Sequence, residues 1–215
     1  MSVLQDINSY MQKGRARQVT ALVTQAKEEG IPARTILQEG LLDAMMVVGE
    51  KFKNNEVFVP EVLMAAKAMN AGISLIQDEL KGEEAPFIGR VVLGTVQDDL
   101  HDIGKSLVAL MMKGAGLEVV DLKVSVAPEQ FVDAAVEHDA DIIAMSALLT
   151  TTMPCMNRVI DLLNERGLRD RFIVMVGGAP VTQAFADEIG ADIYTEDAAS
   201  AAQAARAAIE AKRNG

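Results

Sequence analysis

The spacing of apolar residues changes along the chain at about residue 80. Before it, apolar residues recur at helical spacing in four stripes, which begin at Leu4, Val19, Leu37 and Leu63. Such spacing places the apolar side chains on one face of a helix. Gly, Asn and Pro residues separate the stripes, which is typical of short connections between helices. The pattern predicts a small antiparallel four-helix bundle, a helical cap, over residues 1–82.

Beyond a charged, proline-containing stretch, the apolar residues form short runs rich in β-branched side chains. Five of these runs alternate with segments of helical period: RVVLGTV, LEVVDLKV, DIIAMSAL, FIVMVGG and ADIYTED. Strands that are apolar throughout and separated by helices are typical of a parallel sheet covered on both faces. The sequence therefore predicts an α/β protein with a flavodoxin-like or Rossmann-like, doubly wound, five-stranded parallel sheet over residues 89–215. Residues 83–88 are the predicted linker.

Composition narrows the classes of function. The formal net charge of −11 argues against a nucleic-acid surface, because phosphate binding needs clustered Lys and Arg. A single cysteine, Cys155, cannot form a disulfide framework and fits a reducing compartment. The N-terminal residues lack the apolar core of a signal peptide, and no uninterrupted apolar run approaches the roughly 20 residues that span a bilayer. We therefore expect a cytoplasmic protein that binds neither nucleic acid nor membranes.

Two polar segments follow neighbouring strands of the predicted sheet. Asp99 and His101 follow the first strand, and Ser146, Thr150 and Thr152 follow the third. In the common strand order 2-1-3-4-5, the first and third strands are neighbours at the point where the order reverses. Ligands of such sheets bind there, beyond the carboxyl ends of the strands. The two segments therefore predict a single binding crevice.

Two familiar types of site fit these residues poorly. The GKS tripeptide suggests a phosphate-binding loop, but that motif needs a glycine five residues before Gly104, where Asp99 would repel phosphate. A nucleophilic site needs a serine or cysteine beside the histidine. Ser106 falls inside a predicted helix and Cys155 begins another in an apolar setting, so this alternative stays open but weak.

The histidine suggests a different chemistry. A zinc site needs three or four ligands, which the two histidines of the chain do not obviously supply. One imidazole suffices when a macrocycle supplies the other ligands, and a carboxylate then usually accepts the second N–H of the ring. Asp99, two residues before His101, is placed to do this. A buried histidine that serves only the fold remains the alternative.

Three short motifs follow one another in the second half: Asp99-x-His101-x-x-Gly104, Ser146-x-Leu148 and Gly177-Gly178. Together and in this order they resemble the cobalamin-binding signature of corrinoid proteins and methionine synthase. The resemblance covers nearly the whole chain, since the first half is similar to the helical cap that precedes that module. In length and two-part build the chain is most similar to the corrinoid methyl carriers of anaerobic methyltransferase systems.

The resemblance implies a cofactor, cobalamin with its cobalt, in methylcob(III)alamin and cob(I)alamin states. His101 would be the lower axial cobalt ligand, Asp99 would hydrogen-bond its imidazole, and Thr152 would extend this relay. Apolar residues of the helical half would cap the upper face of the corrin: Phe52, Val59 and Val62. Further contacts with the cofactor would come from Asp98, Leu100, Asp102, Gly104, Ser146, Leu148, Thr150, Gly177, Gly178 and Ala198. At two positions the chain departs from many relatives: Asp98 replaces a glycine and Ser106 an asparagine.

The implied function is methyl shuttling by a corrinoid subunit that is not catalytic alone. A substrate-specific methyltransferase would load the methyl group, and an acceptor methyltransferase would remove it to tetrahydrofolate or a thiol. A reductive activase is a further candidate partner. Two alternatives stay open from the sequence: a cobalamin-dependent sensor or regulatory module, and a flavodoxin-like domain that acts only through protein contacts.

Overall fold

The computed structural model describes residues 2–80 and 87–214. The predicted linker at 83–88 lies mainly outside the described residues. The chain divides into two compact units. The first contains the described residues up to 80 together with Gly114–Gly116, and the second contains Phe87–Lys113 and the residues from Leu117 onward.

The first unit is helical, as the apolar stripes predict. Its described residues form α1 (Val3–Gln12), α2 (Ala16–Glu28), α3 (Ala33–Thr35), a π-helical segment (Ile36–Leu42), α4 (Asp43–Lys53) and α5 (Val59–Leu80). Because α3, the π-helical segment and α4 follow one another without a break, the third predicted helix is present but carries a π-helix in its first half. The apolar stripe that starts at Leu37 did not predict the π-helical turns.

The core of the helical unit comes from the predicted stripes. Ser2 caps α1 in a reciprocal pair with Gln5, which satisfies amide groups at the start of that helix. Fully buried side chains include Ile7, Met11, Val19, Val23, Leu41, Met69 and Ile76. Among the described helices, α5 is long and apolar enough to cross a membrane by length and composition, a test that core helices also pass. Its buried residues Val62, Met69 and Ile76 and its packing against α2 place it in the bundle core.

The second unit alternates strands and helices. Its described elements are β1 (Gly89–Thr95), α6 (Ile103–Gly114), β2 (Leu117–Asp121), α7 (Pro128–Glu137), β3 (Ile142–Ser146), α8 (Pro154–Glu165), a 3-10 turn (Arg169–Arg171), β4 (Ile173–Gly177), α9 (Gln183–Ile189), β5 (Ile193–Tyr194) and α10 (Ala198–Asn214). Within the described residues the strands form one parallel sheet in the order β2-β1-β3-β4-β5. The predicted fold class and strand order are confirmed.

The register of the sheet aligns the strand ends that carry the candidate site. Thr95 of β1 pairs with Ser146 of β3, which in turn pairs with Gly177 of β4. The segments after these three strands therefore leave the sheet side by side at one edge. Below this edge, buried apolar residues such as Val92, Phe131 and Ile143 hold the strands against the helices. The core thus supplies a rigid platform for the loops.

Candidate functional site

The segments after β1 and β3 meet around the carboxylate of Asp99, whose side chain is fully buried. Its Oδ1 lies 2.7 Å from Nδ1 of His101 and accepts the backbone N–H of the same residue at 3.1 Å. Its Oδ2 accepts N–H groups of Leu148 at 2.7 Å and Leu149 at 3.3 Å. The hydroxyl of Thr152 donates to the same oxygen at 2.9 Å. Asp99 therefore ties the two loops together.

These contacts keep Asp99 ionised. Burial alone would raise its pKa, but hydrogen bonds from the Leu148 amide, from His101 and from Thr152 outweigh burial and hold the pKa well below its usual range. An ionised carboxylate can only accept hydrogen bonds, so Nδ1 of His101 carries the proton of the 2.7 Å contact. The neutral ring then has its lone pair on Nε2. Asp99 thereby selects the tautomer in which Nε2 can bind a metal.

The imidazole is accessible, unlike the carboxylate that holds it. The side chain of His101 is 52% exposed. Two apolar neighbours, Leu100 and Ile103, are 72% and 80% exposed. Large apolar side chains exposed around a histidine lone pair are typical of a surface that a ligand covers.

Thr152 is a buried polar residue that also contacts Asp99. Its hydroxyl lies 2.9 Å from both Oδ2 of Asp99 and the carbonyl oxygen of Leu149, and it donates to one of them at a time. Ser146 lies half-buried at the end of β3, and Thr150 is exposed in the following loop. The structure therefore brings Thr152, but neither Ser146 nor Thr150, into hydrogen-bond contact with Asp99 in the described residues.

The glycines of the motifs differ in what surrounds them. A Cβ at Gly178 would lie 1.9 Å from the carbonyl oxygen of Ala147, and Gly178 has φ +128°, so this glycine is required by the chain itself. A Cβ at Gly104 would meet nothing within 4 Å, and one at Gly177 only the Thr195 carbonyl oxygen at 3.5 Å. A Cβ would therefore have open space at Gly104 and only ordinary contact at Gly177, so the packing of the chain itself requires neither glycine.

Several predicted contact residues lie elsewhere around the same edge or in the helical unit. Asp98 and Asp102 are exposed in the loop after β1, and Ala198 is buried at the start of α10. In the helical unit Phe52 is half-buried, Val59 is partly exposed and Val62 is fully buried. The capping role of these three stays a prediction. Phe58, which lies outside the stripes, and Leu63, which begins the fourth stripe, are 62% and 54% exposed, a larger fraction than for any of these three residues.

The alternative chemistries find little support in the described residues. No three His, Cys, Asp or Glu side chains there lie close enough together to hold a metal ion. His138 ends α7, at the opposite edge of the sheet from His101. Burial and the nearby Asp98 carboxylate raise the pKa of the Cys155 thiol, which disfavours the thiolate that a nucleophile needs. A single half-exposed imidazole best fits a metal that a macrocycle already holds.

Comparison with known proteins gives the same answer. Residues 89–205 match a family described as B12 binding domain, and residues 3–77 match a second family with that description. The chain is 45% identical to dimethylamine corrinoid protein 2 of Methanosarcina acetivorans, over 95% of this chain and 94% of that one. It is 43% identical to a dimethylamine corrinoid protein of Methanosarcina barkeri, over 95% and 96%. The crystal structure of a methanol:cobalamin methyltransferase complex from Methanosarcina barkeri contains a similar chain, with a TM-score of 0.88 and 30% identity over 97% of this chain and 80% of that one.

Proposed function

Since the chain belongs to the B12-binding family, as a corrinoid protein of a methyltransferase system with cobalamin as its cofactor, we propose that it carries a methyl group between two partner enzymes. One partner would transfer the group from a methylated amine, and the other would pass it to tetrahydrofolate or a thiol. We further propose that a reductive activase is a partner of this protein and that the protein is cytoplasmic. The observation that carries it is the buried Asp99 carboxylate, which leaves Nε2 of His101 as an accessible lone pair.

The residues present fit a corrin. A metal held by a macrocycle needs one protein ligand, and one imidazole is offered. The space beside Gly104 and Gly177 and the exposed side chains of Leu100 and Ile103 provide room and apolar surface around it. Bound cobalamin supplies a cobalt centre that accepts and releases a methyl group, a chemistry that side chains lack.

The protein's contribution is to control the ligand and its proton. Asp99 holds a proton on Nδ1 of His101 and so keeps Nε2 basic. If Nε2 takes up a proton, the charge on the ring is balanced by the same carboxylate, which Thr152 and the amide of Leu148 stabilise. These groups therefore set how readily His101 binds or releases a metal.

The relatives support a methylated amine as the methyl donor. Carriers named for dimethylamine are 45% and 43% identical to this chain, whereas the chain of the methanol system is 30% identical. A carrier must dock on the methyltransferase that loads it, so the higher sequence identity favours a partner of the methylamine class. The same relatives favour methyl carriage over the sensor alternative, because they are named dimethylamine corrinoid proteins and the complex that contains a similar chain is named a methyltransferase.

The proposal is tested by reducing the reconstituted carrier to the cob(I)alamin state with a low-potential chemical reductant, without oxygen, and then loading it with purified methyltransferases. With a dimethylamine methyltransferase and dimethylamine, we expect methyl loading at least about tenfold faster than with a methanol methyltransferase and methanol, equivalent to about 1.4 kcal/mol of recognition. Formation of the methylated carrier is followed by absorption spectroscopy.

Omission of the amine is the control for this experiment. Equal rates with both enzymes would contradict the methylamine assignment. No loading by either enzyme, with cobalamin fully bound, would contradict the carrier function.

A further inference from the structure

We propose that Thr95 and Ser125 are positioning residues that hold the backbone of His101 in place, an inference that rests on the proposed role of His101 as the cobalt ligand. The resemblance assigns a function to neither residue. We call them the loop clamp. Asp99 orients the imidazole ring, whereas the loop clamp fixes the backbone from which the ring extends.

Thr95 acts on His101 directly. It is the last residue of β1 and is fully buried, and its hydroxyl donates to the carbonyl oxygen of His101 at 2.8 Å. The N–H of His101 donates to Oδ1 of Asp99 at 3.1 Å. Both backbone polar groups of the proposed ligand are therefore held by side chains. Because threonine is β-branched and this one ends a central strand, its hydroxyl has little rotational freedom.

Ser125 acts on Asp98 and Asp99, which lie three and two residues before the histidine. It lies between β2 and α7, where its N–H donates to the carbonyl oxygen of Asp99 at 3.0 Å. Its Oγ accepts the N–H of Asp98 at 3.1 Å. The loop after β1 is thus bound on one side by its own strand and on the other by the segment after β2.

The backbone at this junction is strained. Asp98 has φ +64°, Lys123 +73° and Ser125 +52°, all in the left-handed region that favours glycine. The N–H of Thr95 donates to the carbonyl oxygen of Lys123 at 3.0 Å, so the three strained residues lie in one hydrogen-bonded junction. Strain of this kind persists where surrounding contacts impose it, and it clusters at functional sites. Here it places the histidine loop.

A ligand must be held more closely than a fold requires, because small shifts of its backbone move the donor atom. The segment between β1 and α6 has no regular structure except an isolated bridge at Val96. Without the loop clamp, Asp99 could still bind the ring while the loop moved. We therefore expect the loop clamp to govern local opening around His101 more than global stability.

The test compares Thr95→Val, which removes the hydroxyl at constant shape, with Thr95→Ser, which keeps it. In the cofactor-free protein, hydrogen exchange at the N–H of His101 is expected to quicken about 3- to 10-fold in Thr95→Val, the factor for one lost net hydrogen bond. Thr95→Ser should stay within about twofold of the wild type. Exchange at Ile143, in the core of β3, reports global opening and should change less. The ring signals of His138, at the end of α7, should stay unchanged in both variants and serve as an internal control.

A second readout uses hydroxocobalamin bound to the same variants. At fixed pH, the absorption signature of imidazole ligation should weaken in Thr95→Val and return in Thr95→Ser. Ser125→Ala, at an exposed position, should weaken it in the same direction, and it keeps the test decisive if Thr95→Val does not fold.

The positioning role is overturned if exchange at Ile143 quickens as much as at His101, or if exchange and ligation stay unchanged in both variants. Failure of the proposed function would look different, because the wild type would then bind cobalamin but accept no methyl group from either methyltransferase.

Discussion

Asp99→Ala is expected to lower the free energy of unfolding of the cofactor-free protein by about 2–4 kcal/mol, because hydrogen bonds to a charged group contribute about 1.5–3 kcal/mol each. The carboxylate is fully buried and accepts N–H or O–H groups of His101, Leu148, Leu149 and Thr152. Removal of the carboxylate leaves these donors without their acceptor. Urea unfolding monitored by circular dichroism measures the effect.

Two further substitutions control this measurement. Asp99→Asn preserves the shape of the side chain but replaces one acceptor oxygen with an NH₂ group. That group would face N–H or O–H donors, so we expect a smaller but clear loss of stability. Asp170→Ala, at an exposed aspartate in the 3-10 turn, should change stability by no more than about 0.5 kcal/mol. If Asp99→Ala lowers the free energy of unfolding by less than about 1 kcal/mol, the prediction is contradicted. Water would then replace the hydrogen bonds that the carboxylate makes.

Gly178→Ala is expected to cost at least about 3 kcal/mol, at the high end for a point substitution. The new Cβ would lie 1.9 Å from the carbonyl oxygen of Ala147 and 2.9 Å from its carbonyl carbon. These are backbone atoms, so no side chain can move aside, and φ +128° adds backbone strain. The segments after β3 and β4 must therefore separate. The midpoint of urea unfolding gives the change.

The neighbouring glycine is the matched control. A Cβ at Gly177 would only touch the Thr195 carbonyl oxygen, at 3.5 Å, so Gly177→Ala should keep stability within about 1 kcal/mol of the wild type. Its methyl group would occupy space assigned to the cofactor, and weaker cobalamin retention is expected. Equal stability losses in the two variants would contradict this distinction between a structural and a ligand-facing glycine.

The fold was predictable from the sequence because parallel strands buried on both faces leave continuous β-branched runs. The run RVVLGTV covers all of β1 except Gly89, and DIIAMSAL contains β3; the structure pairs these two strands in register. The π-helical segment Ile36–Leu42 was not predicted. Its apolar residues Leu37 and Leu41 belong to the same apolar stripe as the α-helix that follows. Over seven residues the spacing of apolar residues does not distinguish a π-helix from an α-helix.

The site was only partly predictable. Asp99 and His101 lie two residues apart, so chemistry and spacing indicated their pairing, and the resemblance selected Thr152 from the third strand's loop. Thr95 and Ser125 were missed because their partners are backbone groups of another segment, and such bonds have no sequence period. One signal was available: the resemblance implies a glycine where this chain has Asp98, and Asp98 lies in the left-handed region that favours glycine.

The most direct test of the account is the absorption spectrum after anaerobic reconstitution with hydroxocobalamin and gel filtration. The wild type is compared with His101→Ala and, as the matched control, with His138→Ala at the far end of α7. We expect the wild type and His138→Ala to retain about one corrin per chain with the same spectrum. His101→Ala should show the spectrum of cobalt without a histidine ligand, with reduced retention. Identical spectra for all three proteins, or no corrin on the wild type, would contradict the assignment of His101 as the cobalt ligand.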